Sequence, residues 1–154
     1  MKSFLVTLLL PLTIFAQTSI EKGKTYIDSK QFAKAEQELS AYVNYHSANL
    51  EAIELLGDAY GHQKKWDEAA AEYKKLVNTK PNTANYHYKL GGALGMKALS
   101  VSKISALGII GDVKSSFLKA AELDPNHIEA RWALVELYMQ LPGIIGGSKS
   151  KSFK

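Results

Sequence analysis

The sequence of 154 residues contains no cysteine and only 4 prolines, and neither sign of charge dominates it. The absence of cysteine excludes disulfide-stapled folds, thiol catalysis, Cys-ligated zinc and iron–sulfur clusters. The net charge of +4 arises from 19 basic and 15 acidic residues, an excess too small and too scattered to indicate nucleic-acid binding. With 46% hydrophobic residues, the chain can bury a core of about one domain. We therefore expect a folded domain with no nucleic acid as partner.

The single long apolar run lies at the start of the chain. Lys2 precedes residues 4–15, FLVTLLLPLTIF, and the composition turns polar after Ala16. A short basic start, about a dozen apolar residues and a small residue at the exit are typical of a secretory signal peptide. The run is shorter than the about 20 residues that a transmembrane helix needs. We predict a signal peptide over residues 1–16, with a buried N-terminal helix as the alternative. The protein is then exported, periplasmic or extracellular, with no stable membrane insertion after cleavage before Gln17.

The rest of the chain is internally repetitive, with a period of about 34 residues. The clearest repeat covers residues 50–83 and contains two apolar stripes at helical spacing. The stripes consist of Ile53, Leu56, Gly57 and Tyr60, then Trp66, Ala69, Tyr73 and Leu76, before Pro81. Positions one period earlier and one period later carry similar types, including Gly23 and Gly91. This period predicts stacked pairs of helices, in which the glycine of each first helix lets the second helix approach closely.

This pattern resembles the tetratricopeptide repeat, in which Trp, Leu-Gly, Tyr, Ala, Phe and Pro recur over about 34 residues. The second repeat matches well, the first has Ser47 where the proline is expected, and the later two match in part. The resemblance implies an all-α fold over residues 17–154, a right-handed superhelical stack of antiparallel helix pairs forming an α-solenoid. The expected repeats cover about residues 16–49, 50–83, 84–127 and 128–154, the last being incomplete.

The third repeat is ten residues longer than the others, because its closing proline is Pro125 where residue 115 is expected. The extra stretch, residues 96–111, is apolar at helical spacing, and Lys97 and Lys103 are its only charged residues. We expect lengthened helices joined by a protruding turn around Gly108–Gly111. Three roles are open for this insertion: packing against the neighbouring repeat, a ridge for a partner or for self-association, and contact with a membrane surface.

The C-terminal part of the chain resembles a narrower group of exported bacterial repeat proteins. The shared features are a Leu-Asp-Pro-x-His helix junction, Leu123 to His127, and a Pro-Gly-x-x-Gly-Gly turn, Pro142 to Gly147. Members of that group continue through at least one more helix, so the resemblance implies that this chain is truncated. It implies no catalytic activity.

Catalytic, nucleotide and metal sites are not indicated by the residues. The stretch from Gly143 to Ser150 approaches a phosphate-loop pattern, but Ser148 replaces the last glycine and a helix, not a strand, precedes it. No histidine has a second histidine three or four residues away, so all are expected to be structural; they are His46, His62, His87 and His127. We therefore expect no enzyme, no cofactor and no bound metal.

The resemblance also implies a binding face, the concave surface lined by the first helix of each repeat. The residues expected there are Glu51, Glu54, Asp58, His62, Tyr88, Lys89, Trp132 and Glu136. Only Lys89 fits a clamp for a peptide C-terminal carboxylate, whereas the acidic lining suits a basic segment. Plain solvated carboxylates are the alternative.

These expectations give two functional hypotheses. The first is a non-catalytic protein- or peptide-binding scaffold of the bacterial cell envelope that acts through this face. The second is a helical accessory domain of an envelope enzyme or secretion complex, contacting it through residues 96–111.

Overall fold

The computed structural model describes residues 10–141, with side chains from Ser19 onward. Within this range the chain is all-α, as predicted, and no helix is both long and apolar enough to cross a membrane. The helices are α1 (Leu10–Asp28), α2 (Phe32–Tyr45), α3 (Leu50–His62), α4 (Trp66–Thr79), α5 (Ala84–Ser100), α6 (Lys103–Leu123) and α7 (Ile128–Gln140).

The chain divides into two compact units, Met1–Lys65 and Trp66–Lys154. The N-terminal unit contains α1, α2 and α3, and the C-terminal unit contains α4 to α7. Each unit has its own buried apolar residues. The largest side chains that are fully buried are Leu39 in the first unit and Leu76 and Val113 in the second.

In the N-terminal unit, α1 and α2 approach each other closely at Gly23. A Cβ atom on Gly23 would lie 2.6 Å from the Cδ2 atom of Leu39, a distance that real Cβ atoms do not show. The side chain of Gln63, which follows α3, donates to the Phe32 carbonyl at 3.3 Å and to the Glu36 carboxylate at 2.7 Å. Since the end of α3 meets the start of α2, these two helices are antiparallel.

Two turns of the backbone recur one repeat period apart. Lys30 and Lys64 have φ angles of 58° and 60°, in the left-handed region that non-glycine residues rarely adopt. Their amides donate to Ile27 and Gly61, and the next amides, of Gln31 and Lys65, donate to Tyr26 and Tyr60. Every donor and acceptor in the second turn follows its counterpart in the first by the same interval that separates Lys64 from Lys30. The helix-ending turn therefore recurs with the predicted register.

In the C-terminal unit, α5 packs against both α4 and α6. Lys97, in the last turn of α5, forms an ion pair with Asp67 at the start of α4, so these helices are antiparallel. A Cβ atom on Gly91 would lie 2.8 Å from the Phe117 ring, and one on Gly95 would lie 3.7 Å from Val113. As α5 advances by four residues its partner on α6 moves back by four, so α5 and α6 are antiparallel too. The predicted role of glycine in close approach is confirmed at Gly23 and Gly91.

The turn of the third repeat lies elsewhere than the sequence predicts. Helix α5 has 17 residues and α6 has 21, whereas α3 has 13 and α4 has 14, so the lengthened helices are confirmed. The predicted turn around Gly108–Gly111 is wrong, because both glycines lie inside α6. The chain instead reverses at Val101–Ser102, where the Ser102 hydroxyl accepts from the Ser105 amide at 3.2 Å. Ser102 therefore caps the start of α6, and each glycine inside the helix costs about 0.5–1 kcal/mol.

The insertion does not bury its outer half. Met96, Leu99, Val101, Ile104 and Leu107 are all exposed, with Ile104 reaching 84% of its full accessibility. Extra packing against a neighbouring repeat therefore does not account for these side chains.

Some predictions fall outside the described residues. Of the predicted signal peptide, only residues 10–16 are described, and they belong to α1, which continues through Gln17. The Pro142 to Gly147 turn, the stretch from Gly143 to Ser150 and the remainder of the fourth repeat lie outside the described part.

Candidate functional site

Helix α3 carries four of the predicted binding residues on one face. They are Glu51, Glu54, Asp58 and His62, and the spacing of 3, 4 and 4 residues aligns them along the helix. The opposite stripe, with Ile53 and Leu56, is buried. Asn49 caps the helix by accepting from the Ala52 amide at 3.0 Å, which fixes where the stripe begins. We call these four residues the α3 stripe.

Lys24 of α1 lies against the first residue of the α3 stripe. Its ammonium nitrogen is 2.7 Å from a Glu51 carboxylate oxygen and 3.0 Å from a Glu21 carboxylate oxygen. These two partners raise the pKa of Lys24 above its ordinary value, with Glu51 the larger cause. The negative charge of Glu51 is therefore offset within the protein. The sequence gives no signal for the pairing of Lys24 with Glu51, because the two residues lie on different helices.

At the other end of the α3 stripe, His62 contacts α2. The His62 ring stacks on the Phe32 ring with centroids 4.3 Å apart and planes 10° from parallel. Glu54 and Asp58, between the two ends, are half-buried. The stripe thus combines two exposed ends, Glu51 and His62, with two carboxylates that are partly withdrawn from solvent.

In the C-terminal unit, Tyr88 and Lys89 of α5 contact neighbouring helices and are also partly exposed to solvent. The Tyr88 ring lies 6.1 Å from the Phe117 ring and 4.9 Å from the His127 ring, tilted against both. The Lys89 ammonium lies 5.7 Å from the centroid of the Tyr73 ring, within cation–π range. Both side chains are half-buried, so part of each contributes to the packing of α5.

Helix α7 presents Trp132 and Glu136 to solvent. The indole of Trp132 is 68% exposed, and Glu136 accepts from the side-chain amide of Gln140 at 3.1 Å. Ile128 and Met139, on the same side of the helix as Trp132, are 63% and 60% exposed. Sequence reasoning missed these two, although the spacing of Ile128, Trp132 and Met139 by 4 and 7 residues is a helical stripe.

His127 caps the start of α7 and has a structural role. Its Nδ1 atom accepts from the Ala130 amide at 3.3 Å and lies 3.2 Å from a Glu129 carboxylate oxygen. The same ring contacts Tyr88 of α5. This is the behaviour expected of a histidine at a helix junction.

The predicted binding residues of the two units are charged and aromatic side chains. Within residues 10–141, no group of three or more His, Asp and Glu side chains is placed to hold a metal ion. The α3 stripe supplies carboxylates, while α5 and α7 supply rings and one largely exposed indole. Aromatic and charged groups of this kind are those that interfaces use to anchor a partner.

Comparison with known proteins identifies the repeat. Residues 57–97 match a family model described as the TPR, or tetratricopeptide, repeat. Residues 57–97 therefore form a tetratricopeptide repeat. No curated protein matches its sequence.

Solved structures share the fold of these tetratricopeptide repeats. The first TPR domain of Spaghetti (RPAP3), bound to the HSP90 peptide SRMEEVD, has a TM-score of 0.66 and 20% identity, covering 79% of this chain and 89% of that one. A crystal structure of MamA has a TM-score of 0.72 and 20% identity, covering 90% and 72%. A mutant O-GlcNAc transferase of Thermobaculum terrenum has a TM-score of 0.66 and 24% identity, covering 84% of this chain and only 23% of that one. At these identities the likeness concerns the fold, and the predicted tetratricopeptide fold class is confirmed.

Proposed function

We propose that this chain is a non-catalytic scaffold that binds a protein or peptide through the first helices of its repeats. The observation that carries the proposal is the α3 stripe, a line of carboxylates and one imidazole opposite the buried face of α3. The C-terminal unit, taken by itself, offers the exposed Trp132 of α7 as an apolar contact. The solved first TPR domain of Spaghetti, with a similar fold, holds a peptide of HSP90.

The charge of the α3 stripe favours a partner segment that carries Lys or Arg. The HSP90 peptide SRMEEVD ends in acidic residues, which Glu54 and Asp58 would repel. Lys89, the one residue that fits a carboxylate clamp, already contacts the Tyr73 ring. A basic segment would instead share Glu51 with Lys24 and add Glu54 and Asp58 as partners. The expected selectivity is therefore opposite to that of the HSP90 peptide complex.

We propose an exported protein of the bacterial cell envelope, because residues 1–16 have the composition of a signal peptide. N-terminal sequencing of the protein recovered from the envelope fraction tests this. A first residue of Gln17 supports export, and an intact chain in the cytoplasm that begins with Met1 contradicts it.

Peptide arrays test the binding proposal directly. We expect the chain to bind Lys- and Arg-containing peptides at low salt and to show no binding to the peptide SRMEEVD. Replacing Glu54→Lys together with Asp58→Lys should weaken that binding and make it less dependent on salt. The reason is that the attraction between the carboxylates and the basic peptide steers association, and salt screens this attraction. The control, Glu68→Lys with Glu122→Lys, changes the net charge equally but lies outside the stripe. Equal losses in both double variants, or binding of SRMEEVD alone, would contradict the proposal.

A further inference from the structure

The free end of the α5–α6 hairpin concentrates exposed apolar side chains. Ten large hydrophobic residues are exposed in the described part of the chain, and five of them lie within residues 96–107. They are Met96, Leu99, Val101, Ile104 and Leu107, with exposed fractions of 44%, 70%, 37%, 84% and 56%. We call residues 96–107 the hairpin tip. Clustering of this kind marks an interaction surface.

The hairpin tip extends beyond the helices packed on either side of it. Lys97 pairs with Asp67, the second residue of α4, so the rest of α5 runs about 3 Å past the start of that helix. On α6, the Lys114 ammonium lies 5.5 Å from the Tyr138 ring of α7, and α7 ends two residues later at Gln140. Neither α4 nor α7 therefore covers the first turns of α6.

Hydrogen bonds are formed within the hairpin tip. The Ser100 hydroxyl donates to the Lys97 carbonyl at 2.8 Å. The Ser105 amide donates to the Ser102 hydroxyl at 3.2 Å, and the Ala106 amide donates to the Ser102 carbonyl at 2.8 Å. Removing polar groups from water is costly chiefly when they lose their partners. The tip can therefore enter a poorly hydrated environment without leaving these groups unpaired.

The charge at the hairpin tip has one sign. No Asp or Glu occurs in the sequence between Tyr73 and Gly111, and the charged residues of the tip are Lys97 and Lys103. Lys97 is paired with Asp67, whereas Lys103 is exposed at the first position of α6. A lysine in this position can lay its hydrocarbon stem along apolar surface and keep its ammonium among polar groups.

We propose that the hairpin tip docks into the headgroup region of a phospholipid bilayer. Leu99, Val101, Ile104 and Leu107 enter the boundary between headgroups and acyl chains, and Lys103 pairs with an anionic phosphate. Interfacial segments bury their apolar face by about 5–10 Å, and Leu107 lies about 6 Å along α6 from its first residue. Docking of this depth is peripheral and reversible, and it requires no membrane-spanning helix.

The shape of the hairpin tip favours lipid over a protein partner. Its apolar side chains come from the end of α5, from the turn and from the start of α6, so they surround a convex end instead of forming one flat face. A protein partner would need a preformed hollow of complementary shape. A fluid lipid surface adapts to a convex apolar end, and it supplies phosphates for Lys103.

The absence of cysteine allows a site-specific test on the full chain. A single cysteine at Ile104→Cys carries an environment-sensitive fluorophore, and a second variant, Leu118→Cys, carries it 14 residues further along α6, about 21 Å away. With vesicles of phosphatidylcholine and phosphatidylglycerol, the emission at residue 104 should shift to the blue and be quenched by lipids brominated near the headgroup. The emission at residue 118 should stay that of a probe in water. The apolar N-terminal run is present in both proteins, so it cannot produce the difference.

Two further variants test the contributions of apolar and charged groups. Leu99→Asp with Ile104→Asp should lower vesicle binding at least about tenfold, since each change removes the burial of a large apolar side chain. The control, Ile128→Asp with Met139→Asp, alters two residues of similar exposure on α7 and should bind as before. Lys103→Glu should lower binding to vesicles containing phosphatidylglycerol and leave binding to pure phosphatidylcholine unchanged.

Three outcomes would overturn the proposal. The first is a probe at residue 104 that remains in water on vesicles that carry the protein. The second is an equal loss of binding in the tip and control variants, with circular dichroism showing both folded. The third is a blue shift produced by an added protein and never by vesicles, which would make the tip a protein-docking site.

Discussion

The α1–α2 pair and the α5–α6 pair use glycine at the same repeat position but differ beyond it. In the first pair Gly23 meets Leu39, and α2 has 14 residues. In the second pair Gly91 meets the Phe117 ring, Gly95 faces Val113, and α6 continues to 21 residues. The close approach at the glycine sets how each pair packs. The length of the helices decides whether their ends are covered, and from Ser19 onward the exposed apolar side chains are concentrated at the end of the longer pair.

The largest effect is expected from removing the ring that fills the space beside Gly91. Phe117 is 6% exposed, so Phe117→Ala should lower the free energy of unfolding by about 3–5 kcal/mol through the cavity it leaves. Leu118→Ala, at the next position, is the matched control because Leu118 is 43% exposed and should change stability by under about 0.5 kcal/mol. Urea unfolding followed by circular dichroism measures both. Similar losses in the two variants would show that the α6 register is wrong.

A smaller loss is expected from adding one methyl group at Gly91. Gly91→Ala places a Cβ 2.8 Å from the Phe117 ring, and the overpacking should cost about 1–3 kcal/mol. Gly92→Ala has no neighbouring atom within 4 Å and should instead stabilise the helix by about 0.5–1 kcal/mol. The change in stability caused by Gly23→Ala should lie between those of Gly91→Ala and Gly92→Ala, because the Leu39 side chain can adjust its conformation more easily than a ring can. Thermal unfolding of the three variants tests this order, and a gain in stability at Gly91 would contradict it.

The glycines inside α6 distinguish the structure from the sequence-based expectation of a turn. Nothing lies within 4 Å of a Cβ on Gly108 or Gly111, so replacing each with Ala should stabilise the protein by about 0.5–1 kcal/mol. Helical circular dichroism should be retained. In a glycine turn with positive φ, the same changes would destabilise. A lower melting temperature for either variant would therefore contradict the helix and support the predicted turn around Gly108–Gly111.

The smallest effect concerns the ion pair that joins α2 to the turn after α3. Lys65 lies 2.6 Å from a Glu36 carboxylate oxygen, and this hydrogen bond, with a further one from Gln63, holds the pKa of Glu36 below its ordinary value of 4.5. A carboxyl whose pKa is lower in the folded state stabilises the protein above the unfolded value, and that contribution is lost as the pH falls through the folded value. The stabilisation is therefore complete at neutral pH and decreases below about pH 4.5.

Replacing Lys65 should remove most of this pH dependence. Lys65→Met is expected to cost up to about 1 kcal/mol at pH 7, because the pair is only partly buried, and to flatten the decline of stability below pH 4.5. Lys22→Met, which removes an exposed charge from α1, is the control. Urea midpoints measured between neutral and acidic pH would show whether the two variants differ. Parallel curves would mean that Glu36 owes its low pKa to other groups.

Local sequence patterns predicted the fold because each repeat carries its own signals. Glycine recurs at Gly23, Gly57 and Gly91, one period apart, and helical spacing identifies which face is buried. The turn in the third repeat was predicted wrongly because two glycines suggested a break, whereas Ser102 supplies a capping hydroxyl that starts α6 earlier. Glycine in a helix carries a modest cost, and the packing of Val113 and Phe117 on α5 exceeds it.

The candidate site was predicted only as a set of residue types on one helix face. The alignment of Glu51, Glu54, Asp58 and His62 on α3 follows from spacing alone. The pairing of Glu51 with Lys24 and the stacking of His62 on Phe32 do not, because both contacts join residues from different helices. The exposed Ile128 and Met139 of α7 were missed, since an apolar residue in a repeat is ordinarily assigned to the core.

The sequence by itself determined the helix pairs, their period and the glycines at which they meet, because these depend on interactions within a single repeat. Tertiary structure decided which apolar side chains find a partner. Leu39 and Leu107 are both leucines on the second helix of a repeat, yet the first is fully buried and the second is 56% exposed. The difference arises because α1 lies against α2 at Gly23, whereas α6 begins beyond the reach of α4 and α7. Whether an apolar side chain is buried depends on how far the neighbouring helices extend along its own helix. No local pattern of residues contains that information.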